Sequence, residues 1–388
     1  MSIHELVSRK IVDIPKSAIH EMTRLSKQIE DVAFISWAKP TSGTPEHINK
    51  AAIRAIEENL TGGYSENTGL EVLREEIAKK LERDNRIKAD PSEIMITVGA
   101  IEGLAAALLA AIDPGDEVLI PVPGYSTHIR QVVVASGKPV LVPTIEDKGF
   151  RLDFDRLRDL ITPKTKAILY SSPNNPVGSV YSEEELRNLA AIAQDHNLLV
   201  ITDEAYEYFV FDGEKHISIA SMEGMRERVI SCYTFTKTYA MTGWRIGYLH
   251  AVEEWIRQIE KTHIPLAICA PVVSQYAALE ALRGPQDCVE EFRQHYQTTR
   301  DLMCERLDKL PHVFSYQKPK GSYLMFPRVE LPEGKDSMTF AKNLLQQARV
   351  STTPGIAFKG EGHIRMSFCV PEETIHTAFD RMEQYFSA

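Results

Sequence analysis

The chain has 388 residues, 43% hydrophobic and 25% charged, which is too long for one small core and ordinary in composition for a globular protein. Its net charge of −10 argues against a general nucleic-acid binder or a protein drawn to anionic membranes. Five cysteines (Cys232, Cys269, Cys288, Cys304 and Cys369) fall without CxxC spacing, so neither a disulfide frame nor a metal site is expected, and reduced thiols in a cytoplasm are.

No apolar h-region opens the chain, so no secretory signal is read there. The apolar stretch 100–112 is interrupted by Glu102 and is too short to span a bilayer. Residues 1–30 are polar and helical in flavour. An apolar segment at 32–37 leads into a loop marked by Pro40 and Pro45. Thr44 is placed to cap a helix with Pro45 at its first position, running to about residue 60. A loop at 61–69 precedes a helix at 71–84.

From residue 93 a strand–helix rhythm sets in. Strands are predicted at 93–98, 117–122, 139–143, 166–171, 198–203, 229–235 and 244–249. Helices are predicted at 100–112, 126–136, 154–161 and 182–196, the last capped by Ser182 with Glu185 completing a capping box. These strands are apolar without alternation, so both faces are covered. That means a mostly parallel sheet in a three-layer α/β/α arrangement. Ligands of such sheets lie beyond the strand C-termini, which gathers Gly99, Tyr125, Asn175, Asp203 and Lys237 around one crevice.

After residue 252 the pattern changes to long helices at 253–262, 271–282 and 285–310. Shorter strands at 323–327, 350–353 and 363–370 follow, with a helix at 372–386. This reads as a smaller α+β domain against which the N-terminal segment packs. The expected division is 48–285 for the large domain and 1–47 plus 286–388 for the small one. No internal repeat or low-complexity tract is visible.

The chemistry centres on Lys237, which follows the buried strand 229–235. Desolvation there lowers a lysine's pKa and leaves a nucleophilic amine suited to Schiff-base chemistry with an aldehyde. Thr234, Thr236 and Arg245 flank it and suit a phosphate. The plain alternative is a strand-end lysine reaching solvent. Thr97-Val98-Gly99-Ala100-Ile101 joins a strand to a helix start, where backbone N–H groups and the helix dipole hold anions. Tyr125, just past a strand, can stack on a flat heterocycle or simply pack. Ser172-Pro173-Asn174-Asn175-Pro176 is a rigid turn offering the Asn175 amide to a phenolate oxygen. Asp203 can pair with a protonated ring nitrogen, although a helix cap is the ordinary alternative for Asp203 or Glu204. Arg365 lies in an apolar strand, where its fork suits a carboxylate unless an internal Asp or Glu takes it.

Taken together, SxPNNPxG, TDEAY, TFTKTYAMTGWRIGY and GHIRMSF, in that order, resemble the class I/II aminotransferases, fold-type I enzymes dependent on pyridoxal 5′-phosphate. The resemblance runs from about Ile35 to the C-terminal helix. It implies that Lys237 carries the Schiff base and moves the proton, and that Asp203 pairs with the pyridine nitrogen. Asn175 and Tyr206 then meet the ring's phenolate oxygen, and Tyr125 stacks on the ring. Gly99, Ala100, Thr234, Thr236 and Arg245 belong to the phosphate site. Ile101 shares that turn, but its side chain offers the phosphate nothing. Tyr64 matches a tyrosine that reaches the neighbouring subunit's phosphate, so a homodimer is implied. Arg365 matches the binder of the substrate α-carboxylate. The family's usual glycine is replaced here by Ala38, in a loop whose backbone meets that carboxylate, and Trp37 beside it either lines the site or packs. His128, three residues past Tyr125, is expected to bond Asp203. The partners implied are an amino acid and a 2-oxo acid, with no nucleic acid and no membrane. Rival readings are a C–S β-elimination lyase or cyclising synthase on the same cofactor, and a sensor that holds it without turnover; no basic helix-turn-helix precedes the fold to favour the sensor.

Overall fold

The computed structural model describes residues 6–12, 14–331 and 334–387; part of the expectation for residues 1–30 falls outside these, at 1–5 and 13. Eight strands form the main sheet: β1 (Ile94–Thr97), β2 (Glu117–Val122), β3 (Lys138–Ile145), β4 (Arg151–Leu152), β5 (Thr165–Ser171), β6 (Leu199–Asp203), β7 (Val229–Thr234) and β8 (Gly247–His250). Their order is β1-β8-β7-β6-β5-β2-β3-β4. The run β7-β6-β5-β2-β3 is parallel, while β8 runs antiparallel to both β1 and β7, and β4 antiparallel to β3.

Side chains alternate across a strand, and here both sides are apolar. Ala167, Leu169, Ile201 and Ile230 face one layer, built on the helices Ala100–Ala111 and Glu253–Ala267. Ile168, Tyr170, Val200 and Val229 face the other, built on Phe154–Asp159 and Glu183–Asp195. The three-layer α/β/α expectation is borne out. The capping box at Ser182 and Glu185 is present as read.

Register then builds the crevice. Ser171 pairs with Asp203, and Asp203 with Cys232, so β5 and β6 end level while β7 runs two residues further, to Thr234.

Two local expectations are corrected. Residues 244–249 are not one strand. A tight turn at Thr242–Trp244 and a left-handed Arg245 come first, and β8 starts only at Gly247. Trp244 and Ile246 are apolar because they pack as the chain reverses, Ile246 fully buried. Gly247 permits that reversal, since a Cβ there would lie 2.6 Å from Tyr233 O and 2.8 Å from Ala100 N. Thr44 does not cap the helix Glu46–Glu57, which has no side-chain cap. Its hydroxyl donates to Ala240 O at 2.9 Å and accepts from Trp244 Nε1 at 3.1 Å. A long-range pairing outcompeted the local one.

The C-terminal strands Leu324–Met325, Thr353–Pro354 and Ile364–Ser367 form a three-stranded antiparallel sheet. It shares a core with the helices Asp287–Leu307 and Glu372–Ser387. The short strand Ala33–Phe34 pairs in parallel with Val350–Ser351. That pairing hangs the segment after it, residues 36–39, across the ends of the main strands.

Candidate active site

Lys237 sits in a single helical turn, Phe235–Thr238, directly after β7. Thr234 closes the strand and caps that turn, its Oγ1 accepting from Thr236 N at 3.1 Å. Lys237 Nζ donates to Ala38 O at 2.7 Å and lies 5.9 and 5.8 Å from the ring centroids of Tyr206 and Tyr323. Its stem opens on a cavity while the amine is enclosed. Burial pulls its pKa down to about 8; Arg365 and Arg245 add to the fall, and Cys369 and Asp203 oppose it. At pH 7 about a tenth of such amines are neutral, against roughly one in three thousand at the ordinary value.

The cavity, of about 360 Å³, lies at the strand ends. Asp203 is buried there at the end of β6. One carboxylate oxygen accepts from His128 Nε2 at 3.0 Å and the other from Ala205 N at 3.2 Å. A carboxylate can only accept, so His128 carries its proton on Nε2. His128 stands edge-on to Tyr125, centroids 5.5 Å apart. The expected His128–Asp203 bond is therefore present.

Arg365 has no carboxylate partner among the described residues. Its Nη1 donates to Asn175 Oδ1 at 3.1 Å and its Nη2 to Ser36 O at 2.9 Å, over the Phe358 ring at 4.7 Å. The internal-partner alternative thus falls away. Burial lowers its pKa, and an unpaired buried guanidinium is costly unless a ligand satisfies it. Because Asn175 spends its oxygen on Arg365, its NH₂ is left to donate. Tyr206 is buried, and that burial raises its pKa, so its hydroxyl remains a donor. It meets Tyr323 edge-on at 5.1 Å.

An anion cup forms where β1 enters the helix Ala100–Ala111. Gly99 precedes that helix at φ +75, and a Cβ there would sit 2.6 Å from Arg245 Nη2. The helix N-terminus and the guanidinium together favour a phosphate. Among the described residues Arg245 donates only to the carbonyls of Thr242 (3.2 Å) and Val98 (3.5 Å). Three polar atoms of the cavity lining, Trp37 Nε1, Thr242 Oγ1 and Arg365 Nε, are buried without partners among the described residues. A phosphate at one end would satisfy Thr242 and a carboxylate at the other Arg365, so these residues fit pyridoxal 5′-phosphate with an amino-acid substrate.

Of the residues singled out from sequence, Trp37, Ala38, Ala100, Ile101, Tyr125, Asn175, Asp203, Tyr206, Thr234, Thr236, Lys237, Arg245 and Arg365 all line this cavity. Gly99 does not line it but lies against two residues that do, Ala100 and Arg245. Tyr64 does not join it; the residue is 81% exposed. Sequence reasoning missed Ile19, Ser36, Lys39, Ala205 and Thr242. Thr242 lies inside the Lys237–Arg245 motif, where a further hydroxyl was a usable signal. Ile19 comes from the helix Ala18–Ser26 and arrives by a long-range contact that leaves no local trace.

A lysine one turn past a buried strand, with a carboxylate and an anion cup at the neighbouring strand ends, defines a fold-type I pyridoxal-phosphate enzyme. The sequence profile described as "Aminotransferase class I and II" matches residues 37–382. The aromatic-amino-acid aminotransferase 2 of Thermococcus litoralis is 40% identical, covering 97% of each chain. The aspartate aminotransferase of Pyrococcus abyssi is 42% identical, covering 95% of each. The solved aspartate aminotransferase of Thermus thermophilus with maleate superposes at a TM-score of 0.92 and 32% identity, over 97% of this chain and 99% of that one. The chain belongs to the class I and II aminotransferase family. It is a transaminase, and its family implies pyridoxal 5′-phosphate.

Proposed function

We propose that Lys237 is the amine that links to the aldehyde of pyridoxal 5′-phosphate in this chain. The cavity above it then exchanges the amino group of an L-amino acid for the oxo group of a 2-oxo acid. One observation carries this reading: an amine with its pKa drawn down to about 8 shares one cavity with Asp203, the Gly99–Arg245 cup and an arginine that lacks an acidic partner.

When bound, the cofactor supplies an electron sink for the bond broken at the substrate's Cα. The chain's residues do the rest. Asp203, oriented by His128, holds a proton on the ring nitrogen. A carboxylate about 4 Å from that nitrogen is worth roughly 4 kcal/mol at an effective dielectric near 20. Asn175 and Tyr206 donate to the ring oxygen, and Tyr125 covers the ring. Ala100 N–H, Thr234, Thr236 and Arg245 hold the phosphate. Thr234 does so with a hydroxyl that already anchors the turn carrying Lys237. Arg365 grips the substrate's α-carboxylate, and Lys237 takes and returns the Cα proton once its amine is free.

The same proposal includes a homodimer in which Tyr64, exposed here, reaches the neighbouring subunit's phosphate. It includes the division into 48–285 and 1–47 with 286–388, supported by a core around Tyr296, Tyr323 and Phe368 that Ala33 and Ile35 join and against which Ala205, Tyr206, Phe209 and Phe211 of the larger unit pack. A cytoplasmic location is proposed on the five unpaired cysteines. Among the described residues no helix is long and apolar enough to cross a membrane.

The test is direct. Borohydride should fix the cofactor to the peptide containing Lys237, and Lys237→Ala should lose both the label and turnover. A label recovered on any other lysine refutes the assignment. Mixing the yellow protein with single amino acids separates the rival chemistries. Conversion to the pyridoxamine form marks transamination, release of pyruvate with ammonia marks a lyase, and an unchanging complex marks a sensor.

A further inference from the structure

We propose that Lys39 reads the distal carboxylate of a dicarboxylic substrate, so that one cavity serves both dicarboxylic and apolar side chains. The proposal rests on the amino-transfer reading above and deepens it.

Four cations line the cavity: Lys39, Lys237, Arg245 and Arg365. Three are committed. Lys237 bonds Ala38 O, Arg245 closes the anion cup, and Arg365 bonds Asn175 and Ser36. Lys39 is exposed and pairs with no carboxylate among the described residues. The one carboxylate in the cavity lining, Asp203, is already held by His128 and Ala205 N. No acidic group of this lining competes for the Lys39 ammonium.

The backbone that carries Lys39 is fixed by the site itself. Ser36 O accepts from Arg365, and Ala38 O from both Lys237 and Tyr323, whose hydroxyl lies at 3.1 Å. Lys39 O accepts from Cys369 Sγ at 3.2 Å. Burial pushes the Cys369 thiol up to about 11, so it keeps the proton it donates. The root of Lys39 is therefore pinned while its stem is free. A compact ammonium on a flexible stem can stay hydrated beside an apolar substrate and turn inward to a carboxylate.

The same cavity offers carbon surface for the other class. Ile19, Trp37 and Ile101 line it, and Ile101 is 44% exposed despite its apolar side chain. An isoleucine left open at a cavity wall can be covered by an apolar substrate group. A lysine that swings and a wall that does not are enough to accept both classes without rebuilding the pocket.

The experiment compares the holoenzyme with Lys39→Met and Lys39→Arg, using 2-oxoglutarate and phenylpyruvate as acceptors from one accepted donor. Lys39→Met should lower the ratio of kcat/KM for 2-oxoglutarate over phenylpyruvate about tenfold or more, mainly through KM for 2-oxoglutarate. Lys39→Arg should restore most of that ratio. A spectral titration with maleate should weaken in Lys39→Met, while one with 3-phenylpropanoate should not. A ratio that stays put, or a parallel fall for both acceptors, overturns the proposal. Failure of the parent enzyme to transaminate any acceptor breaks the amino-transfer reading instead, and the maleate titration still decides Lys39.

Discussion

The two sides of the cavity are built differently. Asp203, Asn175 and Lys237 are placed by the neighbouring C-terminal ends of β5, β6 and β7, and their polar atoms are already engaged by His128, Arg365 and Ala38. The opposite side is the segment 36–39 with Ile19 from an N-terminal helix. Its carbonyls are tied down while Trp37, Ala38 and Lys39 remain partly or fully exposed. Rigid strand ends hold groups within the tolerance that proton transfer requires. A segment whose backbone alone is fixed can vary its side chains without disturbing that geometry. On the proposed reading, chemistry belongs to the first side and substrate choice to the second.

The sharpest way to break this division is Asp203→Asn. It removes the charge proposed to hold the ring-nitrogen proton while keeping the shape. Turnover should fall roughly a hundred- to a thousandfold, with cofactor affinity changed far less. Near-normal turnover in that variant, measured beside cofactor retention, ends the electron-sink assignment.

Next in size is the pH dependence of Lys237. Its pKa is lowered to about 8 in the fold, so the neutral amine becomes the main form only above that pH. Stripped of cofactor, the protein should link to added pyridoxal phosphate about tenfold faster per pH unit up to about 8, then level off. A rate still climbing tenfold per unit at pH 10 contradicts the burial argument.

The smallest effect is expected from His128→Phe. Loss of one hydrogen bond to a charged acceptor is worth about 1.5–3 kcal/mol. Some of it should be recovered by Ala205 N, which holds the other oxygen. Turnover should drop about tenfold, and the pH profile of the cofactor's absorbance should shift. If neither moves, His128 only packs.

Much of the strand-end side was legible in the sequence. Lys237, Asp203 and Asn175, and across from them Arg365, were all singled out and all line the cavity, because each sits at the end of, or within, an apolar run where its residue type has few other uses. Turn detail was less legible. Residues 244–249 read as one strand since Trp244 and Ile246 are apolar, and only the reversal between β7 and β8 explains them. Thr44 looked like a cap from its neighbours alone; its actual partners, Ala240 and Trp244, are about two hundred positions away.

The order of apolar runs and their flanking polar residues determined the layered sheet and the row of reactive groups along its edge, because burial and strand period are properties of neighbouring residues. Only the tertiary structure decided what faces that row. The pinned carbonyls of 36–39, the arrival of Ile19 and the placement of Lys39 at the cavity wall depend on contacts between segments far apart in the chain, and such contacts leave no pattern in any single stretch of it.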